Sequence, residues 1–292
     1  MDIESLKAFI AVSQHHSFSV AAEHLYITQP AVSKRINSLE QQLERTLFNR
    51  HNREITLTEA GEHLLPKALN VLRSLDEAQN AMSDLSGDVA GTLRLATSHH
   101  IGLHHLPPIL REFSSAYPKV NMQIEFLDSE VAHNKILKGE CDVAVVTLEP
   151  FTKNVTIHAT PLWRDPLCFV AANNHPLFAR DITLNTLSQT PAILPDLNTY
   201  TGRIAKAFFD KKQQSIHISM TTNYLETIKM MVSVGLGWSL LPQTLIDDNL
   251  RKIDIQQGQL SRDLGVITHA KRDLNRAAQS FLNIITANQS AF

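Results

Sequence analysis

The chain has 292 residues, enough for two domains of ordinary size, each with its own core. A hydrophobic fraction of 43% and a charged fraction of 19% are those of a globular protein. Lys and Arg number 27 against 29 Asp and Glu, a net charge of -2, which excludes a globally basic chain. Any nucleic-acid surface must therefore be a local patch.

The opening "MDIESLKAFIAVSQ" is acidic and interrupted by polar residues, unlike the basic-then-apolar plan of a signal peptide. No stretch approaches the roughly 18 apolar residues of a membrane helix. The expected location is the cytoplasm, with no membrane partner. Cys141 and Cys168 lie in apolar strand-like runs and read as two buried free thiols.

In chain order, "LKAFIAVSQ" spaces Leu6, Phe9, Ile10 and Val12 for a helix, and "VAAEHL" gives a second short one. "ITQPAVSKRINSLEQQL" gives a third. At 100° per residue, Val32, Ile36, Leu39 and Leu43 fall within about 60°, which makes a buried face. Pro30, Lys34, Asn37 and Gln41 lie opposite, Ser33 and Ser38 on the edges, and Arg35 on a flank. Thr28 suits the N-cap and Pro30 the first turn, so Gln29 projects at the helix tip.

These residue types suit a DNA major groove. Gln pairs bidentately with adenine, Ser donates or accepts, and Pro offers an apolar edge to a thymine methyl. Lys34 and Arg35 would hold phosphates and fix the register. Residues 21–40 follow helix-turn-helix spacing, with small Ala21 and Ala22, apolar Leu25, a turn at Tyr26–Thr28, then Val32 and Ile36 inward. Lys34, Arg35, Arg45, Arg50 and Arg53 fall close together, so the cationic charge is segregated.

"LFNRHNREITLT" reads as a turn into the strand Ile55–Leu57. A long helix begins at Thr58, a suitable N-cap, with Glu59 and Glu62 in its first turn. Leu64, Ala68, Val71, Leu75, Ala78, Met82 and Leu85 alternate spacings of four and three, a heptad seam that favours a partner helix. Pro66 should kink or restart the helix. "SGDVAG", residues 86–91, is a linker by composition.

Beyond it, strand-like runs ("TLRLAT", "VNMQIEFL", "CDVAVVTL", "PLCFVAA", "PAIL", "IHISM", "WSLLP", "LGVITHA") alternate with helical ones. The helical runs are "PPILREFSSAY", "EVAHNKILKG", "GRIAKAFFDKK", "YLETIKMMVSV" and "NRAAQSFLNIITA". The alternation predicts a mostly parallel sheet covered on both faces, as one sheet or two small ones.

Residues 21–61, "AAEHLYITQPAVSKRINSLEQQLERTLFNRHNREITLTEAG", resemble the winged helix-turn-helix of the LysR-type transcriptional regulators. The likeness includes Thr-Gln-Pro-Ala-Val-Ser, Ile-Asn-Ser-Leu-Glu, Leu-Phe-x-Arg and Leu-Thr-x-Ala-Gly. It extends through Leu106–Pro107, Tyr117–Pro118, Gly139 to Val146, and "VSVGLGWSLLP" at 232–242. Trp238 departs from the small aliphatic residue usual there, a change that would either fill a wider core gap or alter the cleft.

The resemblance implies an α+β multidomain chain. A winged helix-turn-helix DNA-binding domain would occupy residues 1–58 and a linker and dimerisation helix 59–88. An α/β periplasmic-binding-protein-like effector domain would occupy 89–292. Its subdomain I would span about 92–161 and 266–292, its subdomain II about 162–265, with crossings near 159–164 and 262–266. It implies a non-enzymatic regulator that binds double-stranded operator DNA and a small effector, dimeric through the linker helix and tetrameric overall. Gln29, Pro30 and Ser33 match the family's base-contacting positions; Lys34, Arg50 and Arg53 match those that meet phosphate or the minor groove.

Ligands of open α/β sheets bind beyond strand C-termini, often at helix N-termini. The residues so placed are Ser98, His99 and His100, Thr147, Asn198 and Thr199, and Asn223. Their neutral donors predict a carboxylate effector, with His99 or His100 adding charge at lower pH. His100 and His104 have i, i+4 spacing, but two ligands do not make a site, and no metal or cofactor is assigned. The rival reading, a solute-binding or enzymatic α/β protein with an incidental helical N-terminus, lacks an export signal. It also lacks G-x-S-x-G, G-x-x-x-x-G-K-[ST] and HExxH motifs.

Overall fold

The computed structural model describes residues 1–51, 54–83, 89–150, 155–255 and 259–289, and the chain divides into two compact units, Met1–Asp88 and Val89–Phe292. Arg53 and Leu85 lie outside the described residues, as do the side chains of Arg50 and Met82.

In the N-terminal unit, α1 (Ile3–His15), α2 (Phe18–His24) and α3 (Gln29–Leu43) precede the two-stranded wing, β1 (Phe48–His51) and β2 (Glu54–Leu57). Asp2 caps α1 by accepting from the Ser5 N–H at 2.8 Å, and Ser17 caps α2. Leu6, Phe9 and Val12 of α1 meet Ala21 and Ala22 of α2 and Val32, Ile36 and Leu39 of α3 in one buried core. The small alanines let the helices approach closely. Phe48 of the wing joins this core, its ring 5.4 Å from that of Phe9.

Helix α4 (Glu59–Ser83) starts where Thr58 accepts from the Gly61 N–H and donates to the Thr46 carbonyl. A Cβ on Gly61 would stand 2.4 Å from the Leu47 carbonyl oxygen, so only glycine allows this approach. The helix runs through Pro66 without restarting, contrary to one of the two outcomes expected there. Its first turns belong to the domain's own core: Ala68 is buried and Leu64, Leu65, Leu69 and Leu72 pack beside it. The seam read from sequence is thus divided. Leu64 and Ala68 face inward, whereas Val71 is 44% exposed and Ala78 is exposed.

The C-terminal unit is built on a seven-stranded sheet in the order β10-β6-β11-β5-β3-β4, with β9 also on β6. The strands are β3 (Gly91–Thr97), β4 (Val120–Phe126), β5 (Val143–Thr147), β6 (Ile157–Ala172), β9 (Ser239–Pro242), β10 (Leu250–Lys252) and β11 (Leu260–His269). Only the β3–β4 and β3–β5 pairs of this sheet are parallel; the other four pairings are antiparallel. This corrects the expectation of a mostly parallel sheet. The cause is the pair β6 and β11, which run in opposite directions from Leu260–Leu167 to His269–Ile157, with a bulge at Leu162, and carry the chain between two lobes.

The first lobe stacks α6 (Leu106–Ala116) and α11 (Arg276–Ala287) on one face, against Leu93, Leu95, Val143 and Val145. Helix α7 (Ser129–Lys138) covers the other face, against Ala96, Ala144 and Val146. The alternation along β3 and β5 sends neighbours to opposite faces, and both faces are apolar because both are covered. The second lobe repeats the plan. Leu167, Phe169 and Ala171 meet α8 (Leu184–Gln189) and α9 (Tyr200–Lys211), while Cys168 and Val170 meet α10 (Leu225–Ser233). A parallel pair, β7 (Ala192–Leu194) and β8 (Ile218–Thr221), completes it.

Trp238 lies in this second core, fully buried, stacked on Phe209, its indole donating to the Leu187 and Thr190 carbonyls at 2.9 Å. It fills a core gap and does not shape the cleft. Both cysteines are free thiols; Cys141 is buried, and Cys168 is half-buried rather than fully so. Among the described residues, no helix is long and apolar enough to cross a membrane.

Candidate functional site

Two places gather the residues that sequence reasoning singled out, one in each unit. On α3 the buried row Val32, Ile36 and Leu39 fixes the rotation of the helix, which leaves Gln29, Pro30, Lys34, Asn37 and Gln41 exposed and Ser33 half-exposed. The Gln29 amide donates to the Ser33 hydroxyl at 3.0 Å. Thr28 occupies the N-cap with its side chain making no capping bond. Arg35 is placed differently from Lys34: its guanidinium pairs with Glu4 of α1 at 3.1 Å, which ties α3 to α1. Glu40, not foreseen, accepts from the Leu47 N–H at 2.7 Å and anchors the start of the wing.

In the C-terminal unit a cavity of about 50 Å³ lies where the lobes meet. Six of the seven expected cleft residues line it: Ser98, His99, His100, Thr147, Thr199 and Asn223. Asn198 does not; its side chain turns back to donate to Asp196 at 2.9 Å. Ser98 caps α5 (His99–His104), a short helix not anticipated from the sequence. Thr147 ends β5, its N–H donating to the Ser129 hydroxyl at 3.1 Å. His99 is packed between Phe126 of one lobe and the edge of Tyr224 of the other. Thr199 caps α9 by accepting from the Gly202 N–H at 3.1 Å.

The residues missed from sequence are the charged ones. Glu130, at the start of α7, accepts the Tyr200 N–H at the tip of α9 in the opposite lobe. Burial raises its carboxyl above the ordinary range. Asp128 accepts from the Asn223 amide at 2.7 Å, a second tie between lobes. Arg262, buried on β11, donates from Nε to Asp165 Oδ2 and from Nη1 to the Thr201 hydroxyl, both at 2.8 Å. Its Nη2 also lies 2.8 Å from that Asp165 oxygen, but at an angle that forms no hydrogen bond, so the contact there is ionic.

Behind the cavity stands a histidine cluster. Burial lowers the pKa of His100 and brings His105, stacked on Trp163, to about 4. His100 and then His104 hold the Glu226 carboxyl of α10 down to about 2, while burial opposes them. At neutral pH a neutral His100 therefore stands beside an ionised Glu226. His133 of α7, edge-on to Tyr200, is likewise brought to about 4 by burial and by Arg203.

Comparison with known proteins agrees with this architecture. The family model for the LysR substrate binding domain matches residues 86–290, and that for bacterial regulatory helix-turn-helix proteins of the lysR family matches residues 3–62. An HTH-type transcriptional regulator from the ibpB–leuC intergenic region of Azotobacter vinelandii is 60% identical over 108 residues, 37% of this chain and 75% of that one. The transcriptional activator CmpR of Synechocystis is 28% identical over 99% of this chain and 96% of its own. Among solved structures, full-length CbnR with its target DNA superposes with a TM-score of 0.67 at 18% identity, covering 98% of this chain and 99% of CbnR. The chain belongs to the LysR family of bacterial transcriptional regulators, with a helix-turn-helix domain followed by an effector-binding domain.

Proposed function

We propose that α3 reads operator DNA in the major groove, and that a small carboxylate effector in the cavity between lobes sets the regulator's state. Gln29, Pro30 and Ser33 face base edges, and Lys34, Arg50 and Arg53 hold the backbone. Arg35, spent on Glu4, acts through the packing of α3 on α1 rather than on phosphate. Val71, Leu75 and Ala78 offer the open part of the α4 seam to a second copy, and the dimer so formed pairs again into a tetramer.

The observation that carries the effector reading is the Glu130 carboxylate on the N-terminus of α9. The tip of a twelve-residue helix already accepts a carboxylate there, with the hydroxyls of Ser98, Thr147 and Thr201 around it. An effector carboxylate takes that place, and its remaining groups donate to Asp128 and Glu130, so hydroxyl or amino substituents are favoured. A wider recess of about 480 Å³, also lined by Arg262, reaches the C-terminal end of α9 and balances Lys211 and Lys212 with Glu149 and Asp263. It lacks the helix N-terminus that favours an anion.

Ligand occupancy matters only through its different affinity for open and closed lobes. The test is a thermal-shift screen of small carboxylates on the full chain, followed by operator titration with the best ligand. At a hundredfold over its dissociation constant a ligand stabilises by about 2.7 kcal/mol. Ser98→Ala should abolish the response and leave operator binding without effector unchanged. An unaltered response in that variant places the effector elsewhere.

A further inference from the structure

The histidine cluster supplies what the sequence alone did not, a third ligand. His100 and His104 stand one turn apart on α5, and Glu226 reaches them from the first turn of α10 in the opposite lobe. His104 Nε2 lies 2.9 Å from Glu226 Oε1, and His100 Nδ1 lies 3.5 Å from the same oxygen. One ligand atom from each residue lies within 4.8 Å of the others.

His100 is the telling member. It is buried to 3% exposure, yet neither ring nitrogen makes a well-formed hydrogen bond. Its nearest acceptors, Glu226 at 3.5 Å and Asp165 at 4.0 Å, are too far or badly aligned. Buried polar groups of native proteins are satisfied as a rule. Bonds of about 2.0–2.2 Å place tetrahedral ligand atoms about 3.3 Å apart, near two of the separations seen here. His104 is exposed, so a turn of its ring would close the third.

We propose that His100, His104 and Glu226 bind one divalent transition-metal ion, which ties α5 to α10 across the cleft. Two imidazoles and a carboxylate suit zinc, cobalt or nickel, and not the all-oxygen preference of calcium or magnesium. Three protein ligands leave a position open to water. His100 also lines the effector cavity, so the ion holds the two lobes together at its edge. The inference does not rest on the carboxylate reading, and its test uses no effector.

The full chain, stripped with chelator, is titrated with Co²⁺ and followed by visible d–d absorption, with equilibrium dialysis against Zn²⁺ in parallel. The expected result is one Co²⁺ per chain with the intense bands of a low-coordinate site, displaced by Zn²⁺. Glu226→Gln and His104→Ala should each weaken binding at least tenfold while the circular dichroism of the apo-protein stays unchanged. His99→Ala should retain the bands. Absence of the bands in wild type, or ligand variants that bind as tightly as wild type, overturns the proposal. Should His104→Ala lose its fold, Glu226→Gln alone decides it.

Discussion

Arg262→Met is the perturbation whose cost the structure states most directly. Arg262 and Asp165 are both buried, and Nε and Nη2 each lie 2.8 Å from one Asp165 oxygen, while Nη1 donates to Thr201. Removing the guanidinium leaves a carboxylate without its partner in a low-dielectric crossing of two strands, a loss of about 3–5 kcal/mol. Thr201→Val removes one hydrogen bond to a charged donor and should cost about 1.5–3 kcal/mol. Removing both charges, as Asp165→Leu with Arg262→Met, should return the protein to within about 2 kcal/mol of wild type, because desolvating the pair offsets much of its attraction. Urea unfolding followed by tryptophan fluorescence measures this in the full chain, since both tryptophans, Trp163 and Trp238, lie in the C-terminal unit. A loss under about 1 kcal/mol for Arg262→Met, or a double variant as unstable as the single one, would show that the buried pair is not what holds this crossing.

Leu75→Glu should place facing carboxylates in the α4 seam and cost several kcal/mol of dimer affinity, read by sedimentation; an intact dimer moves the interface elsewhere. Burial depresses His133 to about 4 in the folded state, so its contribution is present above about 6.5 and is lost as pH falls toward 4. Wild type should give up on the order of 2 kcal/mol more than His133→Phe between pH 7 and pH 5, and parallel profiles would contradict this. Glu130→Gln removes the charge that competes for the tip of α9, so a carboxylate effector should bind roughly tenfold tighter at neutral pH by calorimetry. Weaker binding in that variant would count against displacement of Glu130.

The α3 face was legible because its cause is local. Val32, Ile36 and Leu39 repeat at helical spacing, and their burial turns Gln29 and Lys34 outward. Six cleft residues were legible for a similar reason: strand ends and helix caps announce themselves by hydroxyl and amide residues at the end of an apolar run. What was not legible depends on pairing at a distance. Glu226 lies 122 residues from His104, and Arg262 lies 97 from Asp165; only the antiparallel crossing of β6 and β11 brings such partners together. The resemblance put crossings near 159–164 and 262–266, but their antiparallel pairing was hidden, because Pro161 and Pro166 punctuate β6 and made its strand read from residue 166. In the structure residues 157–166 pair with β11 on one side alone, so a proline there can turn its missing N–H to the open edge. The short α5 offered too few residues for a period to show, and the heptad seam ran unbroken through Leu64 and Ala68 although these pack on their own domain.

DNA reading by α3 is tested most directly by the affinity of the full chain for duplexes from around its own gene and for random duplexes of equal length, by fluorescence anisotropy at fixed salt, for wild type and Gln29→Ala. Wild type should bind one native duplex tightly, and removing Gln29 should cost roughly 1–3 kcal/mol on that duplex alone. Equal losses on specific and random DNA, or none on either, would contradict the claim that α3 reads base edges.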